Sequence, residues 1–285
     1  MPLNFNVAPW YDDFDASKNY HRILFKPGFA VQARELTQAQ TILQDQITKF
    51  ADNIFKQNSP VTGGQVTTNL LCNYIKLQSS YQGTSIDLDL FDGQLIQDTT
   101  GLITARVLGV VPGTGEVGVG DPPTLVVAYN SGNQFTANSL LKISLTNTFA
   151  QVSTEAEAVG DSSVASIDQG VFYISSNYKN TEGITVSYGS FVQVNPQTTV
   201  LSKYSNSPNA RVGLNITETV YDYINDTSLL DPAVGASNYQ APGADRYVIK
   251  LTLESRPLTF GDDDGFIELI RVENGSIAKI VDGSV

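Results

Sequence analysis

The alternation of apolar and polar residues changes period once along the chain. Residues 31–57, VQARELTQAQTILQDQITKFADNIFKQ, have a helical period, and nothing after them does. Leu36, Leu43 and Phe50 recur every seven residues, and Gln40, Ile47 and Ile54 follow each of them by four. Read as alternating d and a positions, they form a heptad seam over a helix of residues 31–58, stopped by Asn58-Ser59-Pro60. Two uses of such a helix stay open. It can lie against its own domain by the apolar face, or it can join copies of the chain, where a polar Gln40 at one a position would set register.

From Pro60 onward the period is two residues, the signature of strands. Leu70–Leu77, Ser85–Phe91, Leu102–Val111, Thr124–Tyr129, Leu140–Leu145 and Gln151–Glu155 read as strands separated by Gly, Asn, Asp and Ser. Stronger strands follow in residues 170–204 and 211–224. Tyr247, Ile249, Leu251 and Leu253 then share one face of another. Phe266–Val272 and Ile277–Val281 flank Asn274-Gly275, a two-residue hairpin signal. Residues 225–245 form a long Pro/Gly/Ala/Asn loop, which in a compact domain is functional or held by a partner.

The expected fold is therefore mainly β with one long N-terminal α-helix, its antiparallel strands forming sandwich or barrel-like domains in an elongated chain. The expected units are an aromatic docking arm over residues 1–30, the helix over 31–58, a main β domain from 59–84 and 170–285, and a small β domain inserted at 85–169. The arm is irregular yet rich in rings. Trp10, Tyr11, Phe14, Phe25 and Phe29 need some surface to lie on, in this chain or in a neighbour.

Charge sharpens this division. Residues 1–58 carry six basic and six acidic side chains, whereas 59–285 carry eleven and twenty-three, which is the whole net charge of −12. So acidic a body repels phosphate backbones, and nucleic acid is not expected as a ligand. No apolar run is long enough for a membrane span, and no signal peptide is visible. The chain stops at Val285 just after a hairpin, which reads as a cut or an ordered limit.

Candidate chemistry is sparse. Residues 113–118, GTGEVG, match G-x-G-x-x-G, but Gly118, Gly120, Pro122 and Pro123 prevent a helix from opening there, so a flexible turn is expected. Asp262-Asp263-Asp264-Gly265 and Asp12-Asp13-x-Asp15 lack calcium-loop spacing and read as solvated turns. His21 is the one histidine and Cys72 the one cysteine, a small buried strand residue. No nucleophile elbow accompanies them. Neither cofactor, metal site nor catalytic group is expected.

Two blocks carry a resemblance. The first is Phe5-Asn6-Val7-Ala8-Pro9, YDDFD (11–15), KNYHRILFKPG (18–28) and VQARELTQAQ (31–40). The second is SKYSNSPNARVGL (202–214), DTSLLDPAVGASNYQAPGADRYVIKLTL (226–253) and FIELIRVENG (266–275). Together they resemble a family of bacteriophage virion structural proteins common in contractile-tailed phages and cyanophages. The resemblance implies a virion location and a tail-fibre or baseplate role, with other tail proteins as partners. Residues 175–189 look like an insertion relative to it.

The combined expectation is a non-enzymatic component, homotrimeric through Leu36, Gln40, Leu43, Ile47, Phe50 and Ile54, with the arm docked on the tail. Alternatives are a monomeric baseplate wedge subunit, a module binding host-surface glycan through residues 85–168 (Phe91, Tyr129, Phe135, Phe149), and a polysaccharide-cleaving enzyme.

Overall fold

The computed structural model describes residues 3–114, 120–146, 148–179, 185–259 and 265–280, with backbone alone for 176–179 and 185–188. Residues 115–118 of the expected turn, the acidic residues 262–264, residues 180–184 of the 175–189 insertion and the stop at Val285 lie outside the residues so described.

The chain is mainly β, as its period-2 pattern requires. One long helix, α1 (Ala33–Ala51), precedes β1 (Ser59–Gly63), β2 (Val66–Lys76), β3 (Ser80–Tyr81), β4 (Thr84–Ser85), β5 (Leu95–Asp98), β6 (Thr104–Val111), β7 (Thr124–Ser131), β8 (Leu140–Ile143) and β9 (Phe149–Gln151). The second half adds β10 (Val159–Ile167), β11 (Gly170–Lys179), β12 (Thr185–Val194), β13 (Gln197–Ser202), β14 (Ala210–Tyr221), β15 (Arg246–Arg256), β16 (Phe266–Glu273) and β17 (Ser276–Ile280). Every pairing among the described strands is antiparallel.

The strands form an eight-stranded sheet in the order β13-β10-β2-β7-β6-β5-β8-β9, a three-stranded sheet β1-β11-β12, a four-stranded sheet β15-β14-β16-β17 and a β3-β4 ribbon. Two main cores result. Ile75, Leu77, Phe91, Ile96, Val107, Leu125, Val127, Phe135 and Leu141 fill the first. Phe172, Ile174, Val192, Val194, Val212, Leu214, Leu251, Leu253 and Ile270 fill the second, between the three- and four-stranded sheets. The first core takes most of its side chains from residues 85–169, but Ile75 and Leu77 of the segment expected in the main domain belong to it too. β2 and β10 run through one continuous sheet, supplying Ile75 to the first core and Ala165 and Ile167 to the second.

β10 gives no clear signal in the sequence because it reads VGDSSVASI. Its buried Ser162 and Ser163 hydroxyls donate to the Ser202 and Ser205 carbonyls at 2.9 and 2.8 Å, which removes the cost of placing them in a core. Conversely, Leu88–Phe91 forms a short 3-10 helix where a strand is expected. Asp87 accepts a hydrogen bond from the Asp89 amide and starts that turn, and Phe91 faces inward.

The helix is shorter than the heptad pattern. The Glu35 carboxylate accepts the Gln32 amide at 2.9 Å and fixes its start. At the other end regular winding stops after Ala51, and Phe55 packs tilted against Tyr173 and edge-on against Phe191. Nineteen residues make a rod of about 28 Å.

Candidate assembly surface

α1 docks on its own body by a face that buries Thr41, Ile42, Thr48 and Ala51. Thr41, Gln44, Thr48 and Asp52 follow one another at helical spacing. Thr48 Oγ1 accepts the amide of Gly189 at 2.8 Å and donates to the Gln44 carbonyl at 2.8 Å, while the Gln44 side-chain amide donates to the Gly189 carbonyl. Gly189 lies in β12, an edge strand of its sheet, so the helix satisfies both outward groups of one edge residue. Tyr173 completes the contact by donating to Asp52 at 2.8 Å. That bond and the burial of the ring both favour the protonated phenol, so its pKa is raised well above the usual value. An added Cβ on Gly189 would come within 1.9 Å of the Tyr173 oxygen, so glycine is required there.

The apolar seam consequently points away from the body. Leu36, Leu43, Ile47, Phe50 and Ile54 are each between 40% and 68% exposed. This corrects the simpler of the two uses considered for the helix: it does lie on its own domain, but with Ile42 and Ala51 beside the polar stripe and not by its heptad seam. Gln40 is also exposed, at the rim of a cleft of about 710 Å³ where the arm, α1 and the β14–β15 hairpin meet. Phe5, Trp10, Val220, Asp245 and Tyr247 line the other walls.

The arm is divided in two. In its first half Phe14 is buried within the chain. Trp10 Nε1 donates to Asp245 at 3.0 Å, and the edge of Phe5 meets both Trp10 and Tyr247, with centroids 5.6 and 5.1 Å away. Trp10 and Phe14 thus find their surface in cis, which removes these two rings from the expected contact with a neighbour. Among the other arm rings assigned to docking, Tyr11, Phe25 and Phe29 remain exposed.

The Asp12-Asp13-x-Asp15 group is a clasp, not a solvated turn. Buried Asp12 accepts from the Thr41 hydroxyl and from the Phe14 amide at 3.3 Å. Burial raises its pKa, and the Thr41 bond opposes that rise. Asp13 pairs with Arg34 at 2.9 Å and accepts from Gln38 at 3.1 Å. Asp15 caps a turn through Ser17. Pattern reading missed Thr41, Gln44 and Thr48 as docking residues because attention to apolar periodicity hides a polar stripe with the same spacing.

His21 is exposed. Cys72 is buried in β2, and burial lifts its thiol to about 11. Phe91 and Phe135 are core residues, the Tyr129 hydroxyl accepts the Phe135 amide at 3.1 Å, and Phe149 packs against Tyr81. Residues 85–168 therefore do not display these four rings as a platform for sugar. The 225–245 loop closes on itself: Asp231 exchanges backbone bonds with Ala241 and Gln240, and its carboxylate holds Ala233 and Asn238.

Among the described residues no group of three His, Cys, Asp or Glu side chains converges to hold a metal, and no helix is long and apolar enough to cross a membrane. No curated protein and no solved structure matches the chain. Residues 9–81 match the model of a domain of unknown function, DUF4815, a stretch running from the arm clasp through α1 and β2 into β3.

Proposed function

We propose that this chain is a non-enzymatic structural protein of a bacteriophage virion, a tail-fibre or baseplate component that self-associates as a homotrimer through α1. The reading needs no cofactor, nucleic acid or membrane. One observation carries the self-association: a helix held on its own body through Thr41, Gln44 and Thr48 leaves Leu36, Leu43, Ile47 and Phe50 facing solvent, with Ile54 exposed in the turn after it. Scattered exposed apolar residues are ordinary, but an aligned row along one helix is the mark of an interface. Gln40 at a single a position suits a defined copy number. The virion location rests on the resemblance of residues 5–40 and 202–275 to tail structural proteins.

Covering the still-exposed half of each seam side chain contributes roughly 1 kcal/mol apiece, so the short helix needs further contacts between bodies.

The test is the solution mass of the chain by light scattering after size exclusion. A trimer has about 92 kDa, three times 30.8 kDa. A mass of 30.8 kDa at micromolar concentration would remove the self-association reading and leave the seam to another protein, as in a wedge subunit.

A further inference from the structure

The arm between its clasp and α1 makes almost no contact with its own chain. Tyr20, Leu24, Phe25, Phe29 and Val31 are 51–75% exposed. Among the described residues the one backbone hydrogen bond made within 20–31 joins Phe29 to Lys26 at 3.3 Å. The stretch is also basic. Residues 16–31 contain Lys18, Arg22, Lys26 and no acid. Lys18 stands 3.9 Å from Asp15, and Lys26 lies over Phe29 at 5.7 Å. Arg22 forms no ion pair among the described residues.

A surface of the opposite kind adjoins the seam. Residues 217–245, the distal end of the β14–β15 hairpin, hold Glu218, Asp222, Asp226, Asp231 and Asp245 and no Lys or Arg. The last four are engaged by neutral donors: Ile224 and Asn225 amides on Asp222, Ser228 on Asp226, Ala233 and Asn238 on Asp231, and Trp10 on Asp245. These bonds orient the carboxylates without neutralising them. Tyr221, Tyr223, Ile224, Val234 and Tyr239 are exposed on the same hairpin end. Val220, Ala244 and Asp245 of this hairpin end line the same cleft as Gln40 of the seam.

We propose that the strap, residues 18–31 of one copy, lies on the hairpin end, residues 217–245, of a second copy. Three cations and five apolar side chains would meet Asp222, Asp226, Asp231 and Asp245 and five apolar side chains. The inference rests on the self-association reading, since α1 is what brings the copies together. Reach is ample: twelve extended residues span up to about 40 Å, and packed helices are about 8–10 Å apart. The strap leads directly into α1, so the helix contact holds it at high local concentration.

Hydrogen exchange and mixed-isotope cross-linking on the full chain test this. A zero-length carbodiimide is applied to an oligomer assembled from ordinary and nitrogen-15-labelled copies. Links from Lys18 or Lys26 to acids of residues 217–245 are expected between light and heavy peptides. Links confined to one isotope would overturn the exchange between copies. Amides 20–31 should exchange about tenfold more slowly, or slower still, than in the Leu43→Asp/Ile47→Asp chain. Arg22→Glu with Lys26→Glu should abolish that protection at unchanged oligomer mass.

A trimer whose strap exchanges as fast as the double-Asp chain would sink this proposal alone and give the strap to another protein. A monomeric wild type would sink both readings. Protection unaffected by charge reversal would refute recognition by charge.

Discussion

The hydroxyl of Thr48 stands 2.8 Å from the amide of Gly189, on an edge strand that would otherwise present that amide to solvent. A helix side chain here does the work of a missing neighbouring strand. Thr48→Val keeps the shape and removes the acceptor, leaving a buried amide unpaired. The expected cost is about 1–3 kcal/mol in denaturant unfolding. Gly189→Ala should cost a similar amount by a different route, because the new Cβ collides with the Tyr173 ring, and overpacking costs about 1–3 kcal/mol. A wild-type midpoint in either variant would show that α1 does not dock in this way.

Leu43→Asp with Ile47→Asp alters side chains that the single chain leaves exposed. Body stability should therefore change by less than about 0.5 kcal/mol while self-association is lost. Light scattering gives the mass and circular dichroism the midpoint. An unchanged oligomer would place the interface elsewhere.

Asp12 provides a pH test. Its folded pKa is raised, chiefly by burial, so its contribution to stability is fully present below its unfolded value of 3.8 and is lost as pH rises through the folded pKa. Asp12→Asn cannot ionise and should escape that loss. Thr41 can accept from the new amide and donate to the Thr37 carbonyl, 3.3 Å away. The variant should gain on wild type as pH rises from 4 to 7, measured by urea midpoints. A constant difference across that range would mean that Asp12 does not titrate in the clasp.

Trp10 is the one tryptophan, which makes its fluorescence a reporter of the arm. Asp245→Ala removes the acceptor of its indole N–H. The fluorescence transition should move to lower denaturant by about 1.5–3 kcal/mol, the usual worth of a bond to a charged group. The far-ultraviolet transition of the β body should stay in place. If both moved together, the arm and the body would be one cooperative unit.

The parts of this architecture legible in the sequence were those with a clean period. The heptad of Leu36, Leu43 and Phe50 marked the helix, and the alternation in Tyr247–Leu253 marked β15. β10 was hidden because its buried Ser162 and Ser163 are satisfied by carbonyls about forty residues away, a partnership that local pattern does not encode. The heptad reaches Ile54, yet regular winding stops after Ala51 because Phe55 joins a ring cluster with Tyr173 and Phe191, a contact the local period does not encode. Two acids read as a solvated turn, Asp12 and Asp13, became a clasp because Thr41, Arg34 and Gln38 wait for them about one helix turn apart. The seam was visible from the start, whereas the side of the helix that touches the body was not.

β2 has a mechanical consequence. Antiparallel hydrogen bonds run across the strands, so a pull along a strand axis loads them in shear, together. β2 is bonded to β10 over residues 66–75 on one side and to β7 over residues 73–76 on the other. Tension directed along β2 would meet both ladders at once, whereas the β16–β17 hairpin can be peeled open one pair at a time. The chain is thus anisotropic in strength, stiff along β2 and compliant at the β16–β17 hairpin.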